Sequence, residues 1–302
     1  MTARIKRRLP IGAELVDGGT HVRVWAPRAK RVEVVSAGHA TELSSEPGGY
    51  FSGLIAGAGA GFRYRLRVNG GTAVPDPASR CQPGGPHGDS MVIDPFAFRW
   101  TDEAWPGLSD RGQILYELHI GTLTPEGTYR AAAEQLAELA GLGITAGEVM
   151  PLAEFPGKFG WGYDGVDLFA PYHGYGTPDD FRVFVDRAHA EGLGVVLDVV
   201  YNHFGPDGNY LGEFSDAYIS RKHQTEWGQA LNFDGEGCEG VREFVLANVQ
   251  HWIAEYHLDG LRLDATHSIY DDSTPHILAE IGEVAREAGG RRRVIVIAEN
   301  EP

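Results

Sequence analysis

The sequence predicts an α/β protein in which an antiparallel β-sandwich precedes a parallel sheet whose strands are joined by helices. Three observations carry that expectation. In the first hundred residues apolar side chains alternate with polar ones at period two, the mark of half-covered strands. From Gln113 onward short apolar segments alternate instead with stretches of helical period. Several of those later segments are apolar without alternation, as strands covered on both faces are.

Taken in order, VRVWAPRAKRVEVV at 22–35 places Val22, Val24, Val32 and Val34 at alternate positions, and FRYRLRV at 62–68 does the same with Phe62, Tyr64, Leu66 and Val68. Short strands with Gly/Pro-rich connections suggest an immunoglobulin-like sandwich over 1–98. GAGAG at 57–61 touches on a dinucleotide-binding fingerprint, but a strand follows it where a phosphate cradle needs a helix amino terminus, so a Gly/Ala hairpin loop is the better reading. Residues 69–112, rich in Gly, Pro and Asp, read as a connecting segment without a fold of its own, with 99–112 as the linker proper.

Residues 113–302 follow the second grammar. ILYELHI at 114–120 is a strand, and a helix from about Thr128 to Ala140 carries Ala132, Leu136, Leu139 and Ala140 on one stripe. A weaker strand spans 143–151. Thr177 then caps a helix with Pro178 in its first position and Asp179 and Asp180 in its first turn; Phe181, Phe184, Val185 and Ala188 form its apolar face and Gly192 stops it. GVVLDVV at 194–200 reads as a fully covered strand, and a helix over 240–256 turns Val241, Phe244, Val245, Trp252 and Tyr256 inward. DGLRLD at 259–264, a helix opened by Pro275 and closed by Gly289, and VIVIAE at 294–299, another covered strand, complete the series. Arg291 to Arg293 read as a solvated turn. Right-handed strand–helix–strand connections give a parallel sheet, for which an open doubly wound sheet and a (β/α)₈ barrel both fit.

Both architectures place ligands at the carboxyl ends of the strands, and the polar residues concentrate there. Asp198 lies in one strand with Tyr201, Asn202 and His203 after it; Arg262 and Asp264 end the next, with His267 beyond; Glu299 and Asn300 end the last. Each has a structural reading: Asp198 as a hydrogen-bond anchor, Arg262 with Asp264 as an ion pair, Glu299 as a solvated acid. Three successive strands ending in this way are better explained by chemistry. Strands about 4.8 Å apart can bring the carboxyl groups of Asp264 and Glu299 to the roughly 5 to 5.5 Å of a retaining glycosidase. Arg262 would keep Asp264 ionised as the nucleophile, while an apolar setting would leave Glu299 protonated and able to donate.

Composition narrows the partners. With 26 basic and 42 acidic residues the formal charge is −16, which disfavours nucleic acid. No apolar run approaches a membrane span, and the basic start MTARIKRRLP lacks the apolar stretch of a signal peptide. Two cysteines, Cys81 and Cys238, fit a reduced cytoplasm. The 12 histidines show no metal-ligand spacing, so no metal and no cofactor is expected. No segment signals an oligomeric state.

DVVYNH (198–203), GLRLDATH (260–267) and the strand ending in AEN (298–300) resemble, in order and spacing, three of the four signature regions of the α-amylase superfamily of glycoside hydrolases. VRVWAPRAKRVEVV resembles that superfamily's amino-terminal carbohydrate-module-like domain. FPGKFGWGYDGV (155–166) and DVVYNHFGPDGNYLGEF (198–214) are most similar to its trehalose-releasing branch. The resemblance implies Asp264 as nucleophile and Glu299 as acid and then base, with Arg262 orienting Asp264. His203 would bond a hydroxyl of the sugar, Tyr163 would stack on its ring, and Asp198 and Asn202 would support the site; His267 is grouped with these substrate-side residues. Trp161 fits a sugar platform or a core position equally.

The substrate implied is an α-glucan, maltooligosyltrehalose, cleaved at the α-1,4 bond next to its terminal trehalose. The alternatives are a branching enzyme that transfers to a glucan 6-hydroxyl, and an inactive glucan-binding chain. The resemblance also implies a (β/α)₈ barrel, which typically needs about 250 residues, and only about five of its eight strands can be found. The sequence is therefore expected to be the amino-terminal part of a larger glycosidase, inactive alone for want of the superfamily's third acid, with an unclosed sheet whose last strand is an exposed edge.

Overall fold

A computed structural model describes residues 7–301; most of the basic stretch MTARIKRRLP lies outside the described residues. The amino-terminal part is two antiparallel sheets. One orders Gly12–Val16, Gly19–Trp25, Tyr50–Ala56 and Ser44–Glu46; the other orders His39–Glu42, Val32–Ser36, Arg63–Val68 and Ala73–Val74, with Ser90–Met91 also paired to Arg63–Val68. Val22, Val24, Val32, Val34, Tyr64 and Leu66 are buried in one continuous core, as their alternation predicts. The GAGAG segment is not a hairpin loop. It carries the chain from one sheet to the other, with Gly57 and Gly61 at positive φ.

The connecting segment is more structured than its composition suggests. Val74 to Gln82 is buried without interruption. Asp76 accepts a 2.6 Å hydrogen bond from the Tyr64 hydroxyl. Arg80, 4% exposed, donates to the Ala13 carbonyl and lies 3.4 Å from both Glu14 and Glu255. A buried guanidinium needs such partners, and here they come from both halves of the molecule.

The second part is a five-stranded sheet, Leu115–Leu118, Ala146–Val149, Gly194–Val199, Gly260–Leu263 and Ile295–Ala298, in chain order and parallel throughout. Helix Pro178–Ala190 begins with the predicted Thr177 cap, which forms a full capping box with Asp180. The helix expected over 128–140 is two short ones, Tyr129–Ala133 and Leu136–Gly141, broken at Glu134 and Gln135. Helices Cys238–Glu255 and Ile277–Gly289 stand where their patterns place them.

One expectation is met here and one fails. Although its residues read as covered, strand Ile295–Ala298 is half-exposed because it ends the sheet order and has one neighbour, as the expected exposed edge requires. Arg292 is not solvated: its guanidinium donates to the carbonyls of Ile253 at 2.8 Å and Leu258 at 3.0 Å, closing the end of helix Cys238–Glu255.

The two halves meet flush. Gly240, in the first turn of helix Cys238–Glu255, lies so close to the Trp25 indole that a Cβ there would stand 2.2 Å from it. Only glycine admits that approach.

Candidate active site

The register of the parallel sheet aligns Asp198 with Arg262 and Leu263 with Ala298. Asp264 and Glu299 therefore emerge side by side from neighbouring strands, each at a carboxyl end. Since side chains alternate along a strand, Asp198 and Arg262 share a face with Val196 and Ile297. These two belong to a small apolar cluster with Leu108 and Ala146, separate from the main core. The site thus stands above an apolar floor.

Arg262 organises it. Its Nη1 donates to Asp198 Oδ2 at 2.9 Å and to Asp264 Oδ1 at 2.8 Å, and its Nη2 lies 3.7 Å from Glu299 Oε2. The Asp198 side chain is 1% exposed. Burial pushes its pKa up to about 7 against the pull of Arg262 and of the Tyr163 hydroxyl, which donates at 2.8 Å. Although burial opposes its charge, the same carboxylates hold Arg262 above the usual guanidinium range.

Asn202 fixes the other oxygen of the Asp264 carboxylate, its amide donating to Oδ2 at 2.9 Å and to the Asp264 carbonyl at 3.0 Å. His203 is buried against Asn202 Oδ1, and burial lowers its basicity toward the neutral ring. Glu299 accepts a 2.7 Å hydrogen bond from the Ala265 backbone N–H. The expected apolar pocket around Glu299 is absent: its carboxylate faces this N–H and Arg262, and its side chain is 31% exposed. Ala265 itself sits at φ 44°, ψ 55°, a left-handed conformation that an alanine seldom adopts. The strain falls between the two acids, where a specialised site stores it.

The structure therefore gathers Asp198, Arg262, Asp264, Tyr163 and Asn202 into one hydrogen-bonded group, with Glu299 joined to it through the longer contact with Arg262 and His203 against it. His267 stands at the rim, accepting a long hydrogen bond from the Glu301 N–H. Tyr201 turns away and donates to Asn248 on the covering helix. Trp161 is 74% exposed, which removes the core reading. Trp227 was not legible as part of the site; its ring lies 6.2 Å from those of both His203 and His267. It sits in the turn of the hairpin formed by Ile219–Gln224 and Gln229–Leu231, a polar stretch without the period of either element.

Paired acids on adjacent parallel strands, bridged by an arginine and floored by apolar residues, are an arrangement suited to glycosidic bond cleavage. Residues 95–229 match the family described as the alpha amylase catalytic domain. Over those residues the chain resembles the α-amylase superfamily, and its parallel sheet is of the (β/α)-barrel type.

It is similar to the malto-oligosyltrehalose trehalohydrolases of Saccharolobus solfataricus, 44% identical over 97% of this chain and 51% of the relative, and of Deinococcus radiodurans, 46% identical over 94% and 47%. A glucan branching enzyme of Corynebacterium jeikeium is 34% identical over 86% of this chain. Among solved structures, one described as an alpha amylase from Salmonella typhimurium superposes with TM-score 0.92 at 42% identity, over 97% of this chain and 50% of that one. A Bacillus subtilis type I pullulanase shares the fold at TM-score 0.81 and 21% identity, over 96% and 46%. The chain spans about half the length of the curated relatives it matches. Among the described residues no helix is long and apolar enough to cross a membrane.

Proposed function

We propose that this chain carries the acid pair of a retaining α-glucan hydrolase that cleaves the α-1,4 bond next to the terminal trehalose of a maltooligosyltrehalose. One observation supports this most: a single guanidinium, Arg262, touches Asp264 and reaches Glu299 on the adjacent strand. Asp264, held at both oxygens by Arg262 and Asn202, is aimed as a nucleophile and cannot rotate away. It attacks the anomeric carbon, and Glu299 gives its proton to the departing glycosidic oxygen. In the second half-reaction Glu299 takes a proton from the water that releases the sugar, and the anomeric configuration is retained. Tyr163 and neutral His203 contact the ring in the cleaved subsite, His267 and Trp161 border it, and Asp198 anchors Arg262.

In this reading the chain divides into a carbohydrate-module-like, immunoglobulin-like sandwich at 1–98, a connector at 99–112 and a catalytic portion at 113–302, whose sheet supplies five strands of a (β/α)₈ barrel. The two free cysteines suit a reduced, cytoplasmic setting. The names of the relatives favour hydrolysis over branching. Placed within a full-length enzyme that supplies the third acid, these residues are expected to support release of free trehalose from maltooligosyltrehalose, detected by chromatography, and Glu299→Gln is expected to lower that rate at least about 100-fold. Release of no trehalose together with new α-1,6 branches in amylose would refute the assignment.

A further inference from the structure

Among the described residues, one further cluster of imidazole and carboxylate donors converges as a ligand set does. His223, Asp234 and Asp272 each present one ligand atom, all within 4.8 Å of one another. His223 belongs to strand Ile219–Gln224, Asp234 follows strand Gln229–Leu231, and Asp272 lies in the loop beyond strand Gly260–Leu263. We propose that these three side chains bind a divalent first-row transition cation, which ties the hairpin to the loop carrying Asp264 and His267.

Three observations support it. The Asp234 side chain is 3% exposed, and its Oδ1 is buried with no hydrogen-bond partner. An unsatisfied buried oxygen of that kind costs about 1–3 kcal/mol, and a cation held by both oxygens of the Asp234 carboxylate would remove the deficit.

The remaining oxygen, Oδ2, has three neighbours, all at long range: Lys222 Nζ at 3.3 Å, the Asp272 N–H at 3.3 Å and His223 Nε2 at 3.4 Å. These groups surround the carboxylate without making close bonds to it, so an ion can draw in the His223 ring and displace Lys222. The His223 ring, finally, is stacked on Tyr270 with centroids 4.8 Å apart, so its orientation is set by packing.

Donor chemistry selects the cation. One imidazole nitrogen with two carboxylates suits zinc, cobalt or manganese better than calcium, which prefers an all-oxygen shell. Asp272 is exposed and gives the ion a path in, with water completing its coordination. Lys222, half-exposed on a flexible stem, holds the site's cationic position without an ion and swings into solvent when one binds. Three donors so far apart in the chain form no short motif, so the histidine spacing that argues against a metal cannot detect them.

The test is independent of turnover. Chelator-treated protein is titrated with Zn²⁺ by calorimetry and with Co²⁺ by visible absorption. Expected are a stoichiometry near one, a Co²⁺ ligand-field spectrum, and a melting temperature raised by about 2 °C or more in excess Zn²⁺. His223→Gln, Asp234→Asn and Asp272→Asn should each weaken binding at least about tenfold, whereas Lys222→Met should tighten it. Should Asp234→Asn fail to fold, the other two, with unchanged metal-free circular dichroism, decide the matter. Absence of heat and of a Co²⁺ spectrum overturns the proposal, as does binding that survives both His223→Gln and Asp272→Asn.

Discussion

Arg262 serves Asp198, Asp264 and Glu299 with one planar head, and its removal acts on each differently. Arg262→Ala leaves the Asp198 carboxylate buried without its cation, which is expected to destabilise the fold by about 3–5 kcal/mol in a denaturant titration. Arg262→Lys retains the charge but not the fork, and is expected to keep most of the stability while losing turnover. Ala265 gives a prediction of opposite sign. Its left-handed backbone suits glycine, so Ala265→Gly is expected to raise stability by up to about 1 kcal/mol, and Ala265→Val to lower it. At this scale the sequence was informative: Asp264 and Glu299 could be placed because strand ends are marked by where apolar runs stop. The N–H of Ala265 carries no signal in the sequence, since every residue has one and only the chain's path aims it.

Among the elements, the short strand pair Ala153–Glu154 and Asp167–Pro171 supports the loop that presents Tyr163. Burial pushes Glu154 up to about 9, against the His173 backbone N–H, and lowers the basicity of His173, whose Nδ1 lies 2.8 Å from Glu154 Oε1. The pair is therefore a neutral acid donating to a neutral ring rather than an ion pair. Glu154→Gln, which keeps a donor in that position, is expected to cost less than about 1 kcal/mol, and Glu154→Ala about 2–3 kcal/mol, by thermal denaturation. This strand pair and the hairpin bearing His223 and Trp227 were illegible because one strand of each is only two or three residues long and its partner shows no apolar alternation. In strand Ile295–Ala298 the apolar pattern alone suggested cover while the strand count pointed to an exposed edge, because residue type records what a position tolerates, whereas coverage depends on how many neighbours the sheet supplies. Helix Pro178–Ala190, by contrast, was readable to its first residue, because cap, proline and acidic turn all act locally.

Across the whole molecule, the end of the sheet opposite the acids is held by a buried charge cluster. His189 Nδ1 lies 2.8 Å from Asp102 and its Nε2 2.9 Å from Asp259, which also accepts from the Trp105 indole. Burial disfavours the charged ring, but hydrogen bonds to both carboxylates prevail and raise His189 above its ordinary 6.5. A group raised on folding contributes fully below its unfolded value and loses that contribution as pH rises through its folded one. Burial likewise opposes the Asp102 charge, yet His189 and His257 hold that acid well below the carboxylate range, so its contribution disappears only in strong acid. Stability is therefore expected to decline as pH is raised above about 6.5, and His189→Gln should abolish that slope in melts recorded across pH.

The contact between Gly240 and Trp25 bears on the order in which the molecule is made. The amino-terminal sheets leave the ribosome long before helix Cys238–Glu255 does, so Trp25 is already in place when that helix arrives. The indole then serves as a template on which the helix seats. A nascent chain in which Trp25 is disordered would present the later half with no surface to receive it, and yield of folded protein during synthesis, more than the stability of the finished molecule, is the property that substitution of Gly240 would impair.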